Sequence, residues 1–228
     1  MRKFLKEFGN FVKPQLKSEI SEKNREKRLQ YCLSHKKFNF KKVLFTDESS
    51  FQLNCNNQKV FKLKGSKAPQ KAKLNPNAKV MVWGGISYYG KTSLFIVKGK
   101  LKGDGCINIL KNKRREMKAL FAKRRKIWYF QQDGAPCHRP LKVKAYIKNW
   151  LTKKILPHPP QSPDLNLIEL VWTQMKALVE RKRPRNRAQL IEAILDSWNG
   201  ISVDKIRRCI DDIYKKIDKI IESNGNLL

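Results

Sequence analysis

Between Lys42 and Gly99 four segments of strand composition follow one another, and only beyond them do helical patterns take over. VLFTDESSFQL (43–53) and KVFKL (59–63), joined by the turn-like NCNNQ, read as a hairpin. KVMVWGGISYYG (79–90) is a nearly continuous apolar strand, and its Gly84-Gly85 pair predicts a bulge or a close backbone approach. TSLFIVKG (92–99) reads as its antiparallel partner. The pattern then alternates: a basic helix near 105–125, a short buried strand in KIWYFQQD (126–133), a helix in LKVKAYIKNWL (141–151), a short strand in KILPHPP (154–160) and a long helix in NLIELVWTQMKALVERK (166–182). Amphipathic helices fill the remainder. Such an order specifies the α/β class, a mixed sheet flanked by helices with a helical C-terminus. Residues 1–40 are polar and basic; a helical stretch near 18–35 places Ile20, Leu29 and Leu33 among many charges, without enough apolar surface for a core of its own. The expected division is a basic linker over 1–40 and one domain over 41–228.

The surface of this fold is strongly cationic. Lys and Arg number 51 against 19 Asp and Glu, a formal charge of +32, while 10% aromatic residues are too many for a disordered basic tail. Residues 1–114 carry 27 basic and 7 acidic side chains and residues 115–228 carry 24 and 12, so the charge belongs to the whole body. A polyanion would neutralise it, and counterions released from nucleic acid would add affinity. A plain bias toward lysine, 37 Lys to 14 Arg, is the alternative source. The five cysteines form no CxxC pair and suggest no disulfide framework. No apolar run approaches the ~18–20 residues of a membrane span. A soluble protein of a reducing, intracellular compartment is expected.

In so basic a chain each acid against an apolar background is informative. Period two along 43–53 puts Asp47 on the face of Phe45, Ser49, Phe51 and Leu53, and Glu48 on the other. A carboxylate there needs a partner, because burying it alone costs several kcal/mol; a Lys or Arg would serve as well as a metal. Asp133 ends a strand, where ligand sites gather in open sheets, but Asp-Gly is also a turn signal. Glu169 lies three residues after Asn166 and could complete a capping box; Asp164 competes with it as the third acid. Three such acids could converge on divalent ions, since hard oxygen ligands suit magnesium or manganese and two ions ~3.5–4 Å apart suit phosphodiester chemistry.

FTDESSF around Asp47, VMVWGGIS, FQQDGAPCH around Asp133 and QSPDLNLIELVW around Glu169 occur in an order that resembles the catalytic domain of mariner-type DDE transposases. The resemblance spans about residues 41–175, with 15–40 and 180–225 similar to the family's linker and C-terminal helices. It implies an RNase H-like fold with Asp47, Asp133 and Glu169 as the metal-binding triad for two magnesium or manganese ions, and Glu48 as a neighbour only. It selects Glu169 over Asp164. It implies DNA as partner, both transposon ends and target, with hydrolysis followed by attack of a freed 3′-hydroxyl. It further implies a homodimer through the 65–79 loop and a nuclear location.

Departures from the family pattern are specific. Thirty-five residues separate Asp133 from Glu169, one more than usual; Leu167 replaces a helix-starting proline, with Asn166 expected to cap; Gly134 replaces an asparagine. The two helix-turn-helix units that precede the family's catalytic domain are expected to be missing, leaving only the end of the second in MRKFLKEFGNF. Cys137-His138 is not expected to form a nucleophile pair, since neighbours on a turn rarely face each other. His138 is expected as a structural residue or a neighbour of the site. Most of the five tryptophans are expected in the core, and the nine Lys and Arg of 111–126 on a phosphate-tracking face. A catalytically decayed DNA-binding remnant and a nuclease without strand transfer are the competing functions.

Overall fold

A computed structural model describes residues 20–53, 78–122, 127–151 and 154–227. The expected strand 59–63, residues 65–77 of the loop, the cluster 123–126 and the opening segment 1–19 lie outside the described residues.

The sheet is mixed. β1 (Val43–Gln52) pairs antiparallel with β2 (Lys79–Ser87), which continues through a tight turn at Tyr88-Tyr89 into β3 (Gly90–Lys91) and also pairs with β4 (Phe95–Val97). On the other edge of β1 runs β5 (Tyr129–Gln131), parallel to it, and Ile155 forms a further parallel bridge to Phe130. The expected 154–160 strand is thus a single bridge, ended by the prolines that cannot donate to a ladder.

Period two divides the apolar residues between two cores. Val43, Phe45, Phe51, Val80, Val82 and Ile86 face one side, joined by α4 (Ile168–Arg181), α5 (Arg187–Asn199), α6 (Val203–Asp211) and α7 (Ile213–Glu222). Leu44, Trp83 and Val97 face the other, against α2 (Gly103–Ala122) and α3 (Leu141–Leu151). On α6 and α7 the buried residues are Ile206, Ile210, Ile213, Ile217 and Ile220. Each contributes about 1.5–3 kcal/mol by burial, whereas solvent-screened surface pairs such as Asp204–Arg207 and Asp212–Lys215 add little. Packing therefore decides where these helices sit. Trp83, Trp128, Trp172 and Trp198 are buried, as expected of core residues.

The Gly-Gly pair makes a close approach and not a bulge: the β1–β2 register runs without interruption through Thr46↔Gly85 and Asp47↔Gly84. A Cβ on Gly84 would lie 3.0 Å from Trp172 Cη2 and 3.1 Å from Trp198 Cη2. Two indoles, stacked with centroids 5.3 Å apart, occupy the space a side chain would need.

The basic stretch at the N-terminal side is docked on the body. α1 (Glu22–His35) packs on α7, and Tyr31 and Cys32 enter the larger core. Arg28 is fully buried; it donates to both Asp164 oxygens at 2.7 Å, to the carbonyls of Gly225 and Asn226 at 3.0 Å and to that of Gln161 at 3.3 Å. A buried guanidinium is tolerated because its donors are used and its charge is matched.

Candidate active site

The parallel pairing of β1 with β5 positions the first two acids. Its last paired residues are Phe45 and Gln131. Two residues beyond each stand Asp47 and Asp133, so the same step from adjacent strands, about 4.8 Å apart, brings both carboxylates just past the carboxyl end of the parallel pairing. The junction is held by Thr46, whose hydroxyl donates to the Gln131 carbonyl at 2.8 Å, and by Asn166, whose amide donates to the Thr46 carbonyl at 3.3 Å.

Asn166 therefore does not cap the following helix with its side chain. It closes a 3-10 turn (Pro163–Leu165), its carbonyl accepts from the Glu169 N–H at 3.0 Å, and its side chain is spent on β1. Leu167, fully buried, occupies the N-cap position without a side-chain cap bond. The capping-box alternative for Glu169 thus fails: the amide nitrogen of Asn166 is held on β1, which turns the side-chain oxygen that capping would need away from the helix and leaves it buried without a partner among the described residues. Glu169 instead lines an open cleft of about 1110 Å³ together with Asp47, Asp133, His138, His158 and Asn166. Asp164 is committed to Arg28.

Asp47 is 8% exposed. Its Oδ2 accepts from Trp172 Nε1 at 3.1 Å, and among the described residues no Lys or Arg pairs with it. Trp172 follows Glu169 by three residues on α4, hence on the same face. Its indole reaches Asp47 because the cross-strand neighbour of Asp47 is Gly84, which offers no side chain to block it. Burial, then the charges of Glu169, Glu48 and Asp133, push the Asp47 carboxyl up to about 8, with a bond from the Glu48 backbone opposing them.

Asp133 makes the expected turn and also lines the cleft. Its Oδ1 accepts from the Ala135 N–H at 3.0 Å, a turn bond, while its side chain remains 41% exposed at the cleft. Glu48 lies closer to the centre than a mere neighbour on the opposite face would. Its Oε2 is 3.3 Å from His138 Nε2, and one oxygen each of Asp47, Glu48 and Asp133 fall within 4.8 Å of one another. Glu169 shares the cleft and acts on Asp47 by charge, outside that tightest group.

His138 is buried and also 3.4 Å from Asp133 Oδ1. Burial opposes its protonation, but the bond and charge of Glu48, with Asp133, outweigh that and hold it above the usual histidine value. His158 goes the other way, lowered by burial, with Nδ1 2.6 Å from the Gln131 amide nitrogen. Burial raises the Cys137 thiol, so its position 3.7 Å from His138 Nε2 gives no activated nucleophile. On the expected phosphate face of α2, Lys113 turns inward to Ser93 and Glu116, and Arg114 lies over Trp150. Sequence patterns did not single out Trp172, Gly84 or the Glu48–His138 pair for this site; for Trp172 a signal existed, its helical spacing from Glu169.

Comparison with known proteins agrees with this architecture. The family description "DDE superfamily endonuclease" matches residues 42–191, well over half of the chain. The Tc3 transposase of Caenorhabditis elegans is 28% identical over 97% of this chain and 69% of its own length. The Tcb2 transposase of Caenorhabditis briggsae is 27% identical over 93% and 80%. Among solved structures, a pre-cleavage Mos1 transpososome superposes with a TM-score of 0.81 at 19% identity, covering all of this chain and 70% of that one. The Mos1 mariner transposase catalytic domain gives 0.74 at 19%, covering 93% and 99%. These likenesses establish the RNase H-like fold, a mixed sheet flanked by helices. The chain belongs to the DDE superfamily endonucleases and is a transposase catalytic domain similar to the Tc1 and Tc3 transposases.

Proposed function

We propose that Asp47, Asp133 and Glu169 are the catalytic carboxylates and that they hold two magnesium or manganese ions for cleavage at transposon ends and transfer of the 3′-hydroxyl strand into target DNA. The observation that carries this is the clustering of carboxylates: Asp47, Asp133 and Glu169 line one cleft, oxygens of Asp47, Glu48 and Asp133 fall within 4.8 Å of one another, and burial with these neighbours pushes the Asp47 carboxyl up. A set of oxygen donors that repel one another in a low-dielectric wall fits hard divalent cations, whose charge reverses the local pKa logic. When bound, such ions activate an attacking oxygen and stabilise the leaving oxygen of a phosphodiester. Mos1 paired-end complexes are known with Mn and with Mg, which supports the choice of ion.

The chain's own residues supply position. Trp172 orients Asp47, the Ala135 N–H fixes the rotamer of Asp133, and α4, packed on β1 at Thr46 and Asp47, brings Glu169 to the same cleft. DNA is the partner that a charge of +32 calls for. Dimerisation through the 65–79 loop and a nuclear location belong to the same reading.

The test supplies the full chain with magnesium or manganese and a pre-cleaved DNA end bearing a free 3′-hydroxyl. Joined products from wild type, lost in Asp47→Asn, Asp133→Asn and Glu169→Gln, are the expected result. Metal-dependent cutting without joining would replace strand transfer by nuclease activity. Retained DNA binding with no metal-dependent product would mark a decayed remnant and overturn the proposal.

A further inference from the structure

Beside the carboxylate cleft, and sharing its wall, is a cluster of a different chemical kind. One ligand atom each of Glu48, Cys106, Cys137 and His138 lie within 4.8 Å of one another. They come from three elements: Glu48 from β1, Cys106 from the first turn of α2, Cys137 and His138 from the 3-10 turn Pro136–His138 that follows Asp133. Cys106 and His138 are 3% and 7% exposed, and both thiols are free.

We infer that these four side chains form a second metal site, for a borderline-soft cation of the zinc type, distinct from the all-oxygen set. Two sulfurs, an imidazole and a carboxylate suit zinc, whereas magnesium and calcium prefer oxygen alone. The spacing fits: a tetrahedral site with bonds of ~2.0–2.3 Å has edges of about 3.3–3.8 Å. Glu48 Oε2 is 3.3 Å from His138 Nε2, Cys137 Sγ is 3.7 Å from that nitrogen, and Cys106 Sγ is 3.6 Å from Nδ1. The ring gives one nitrogen to the ion, so closing the longest edge requires about 1 Å of adjustment. Four protein ligands make a closed, structural site rather than a catalytic one. Its effect is to tie α2 and β1 to the turn that carries Asp133, holding that acid at the mouth of the cleft. Glu48 thereby has a defined role apart from the triad.

The experiment uses the full chain, stripped with chelator and then titrated with zinc alone against a chromophoric competitor, in excess magnesium. One zinc per chain is expected, with binding unchanged in Asp47→Asn and Glu169→Gln and weakened at least tenfold in Cys106→Ser and Cys137→Ser. Cobalt(II) in place of zinc should give thiolate-to-cobalt charge-transfer absorption that fades in Cys137→Ser. Because that thiol is only half-buried, its variant tests the site even where Cys106→Ser does not fold. The inference is overturned by the lack of stoichiometric zinc, by a cobalt spectrum without thiolate absorption, or by zinc that is lost with Asp47 and kept without the cysteines. None of these readouts depends on strand transfer, so the site stands or falls independently of the catalytic proposal.

Discussion

Replacing Asp47 by Asn should stabilise the metal-free protein, by an amount that grows with pH. The unfolded chain releases the Asp47 proton near 3.8 and the folded protein holds it to about 8. Between those values the folded state binds more protons than the unfolded one, so wild-type stability falls as pH rises through the window. Each tenfold change in proton affinity is worth about 1.4 kcal/mol, so this one group removes about 4 kcal/mol between pH 4 and pH 7, levelling off above pH 8. Asparagine is close in shape, and its Oδ1 can accept the Trp172 N–H that now meets Asp47 Oδ2 at 3.1 Å; it leaves nothing to ionise. Urea denaturation in chelator at several pH values, with both proteins measured side by side, gives the difference directly and cancels the other titrating groups. Saturating magnesium should then raise the stability of wild type, by about 2.7 kcal/mol at one hundred times its dissociation constant, and do much less for the variant. A difference that stays flat from pH 4 to pH 8, or that shrinks as pH rises, would refute the account of Asp47 as a carboxyl held neutral by burial and its acidic neighbours.

Other perturbations follow from the same contacts. Trp172→Phe removes the indole donor from a buried acid; it should cost about 1–3 kcal/mol in urea melts and raise the magnesium concentration needed for half-maximal strand joining. Gly84→Ala places a methyl 3.0 Å from Trp172 and 3.1 Å from Trp198 and Leu94, so thermal or urea unfolding should show a loss of about 1–3 kcal/mol. Arg28→Met strands Asp164 in a half-dry pocket and should cost about 3–5 kcal/mol, most of it regained in the double variant Arg28→Met/Asp164→Leu. Failure of the double variant to recover would show that the carbonyl bonds of Gln161, Gly225 and Asn226, and not the charge pair, hold α1 in place.

How much of this was legible from residues alone differs from element to element. The chain order of strands and helices is local chemistry, and α3 lies at Leu141–Leu151, the expected span. Period two assigned Asp47 to the buried face of β1, where it is. The identity of the buried partner was not legible: a basic chain suggested Lys or Arg, and the structure supplies Trp172 from a helix 125 residues away. Asn166 and Glu169 show the same limit. Their spacing matched a capping box, and the Asn166 side chain is oriented instead by the bond its amide nitrogen donates to a carbonyl on β1, which joins α4 to the sheet and leaves Oδ1 off the helix end.

By itself, then, the sequence determined the class of fold, the basic surface and the three acids that the family resemblance singled out. These follow from periodicity, net charge and motif order, all of which are properties of the chain before it folds. Only tertiary structure decided how the acids are held. The parallel β1–β5 register sets Asp47 and Asp133 side by side, Gly84 leaves room for an indole beneath them, and Arg28 takes Asp164 out of contention. It also placed Glu48 with His138 and two thiols, from segments about 30 to 90 positions apart, in one partly buried cluster. Contacts of that separation are set by sheet register and helix packing, which no local pattern encodes.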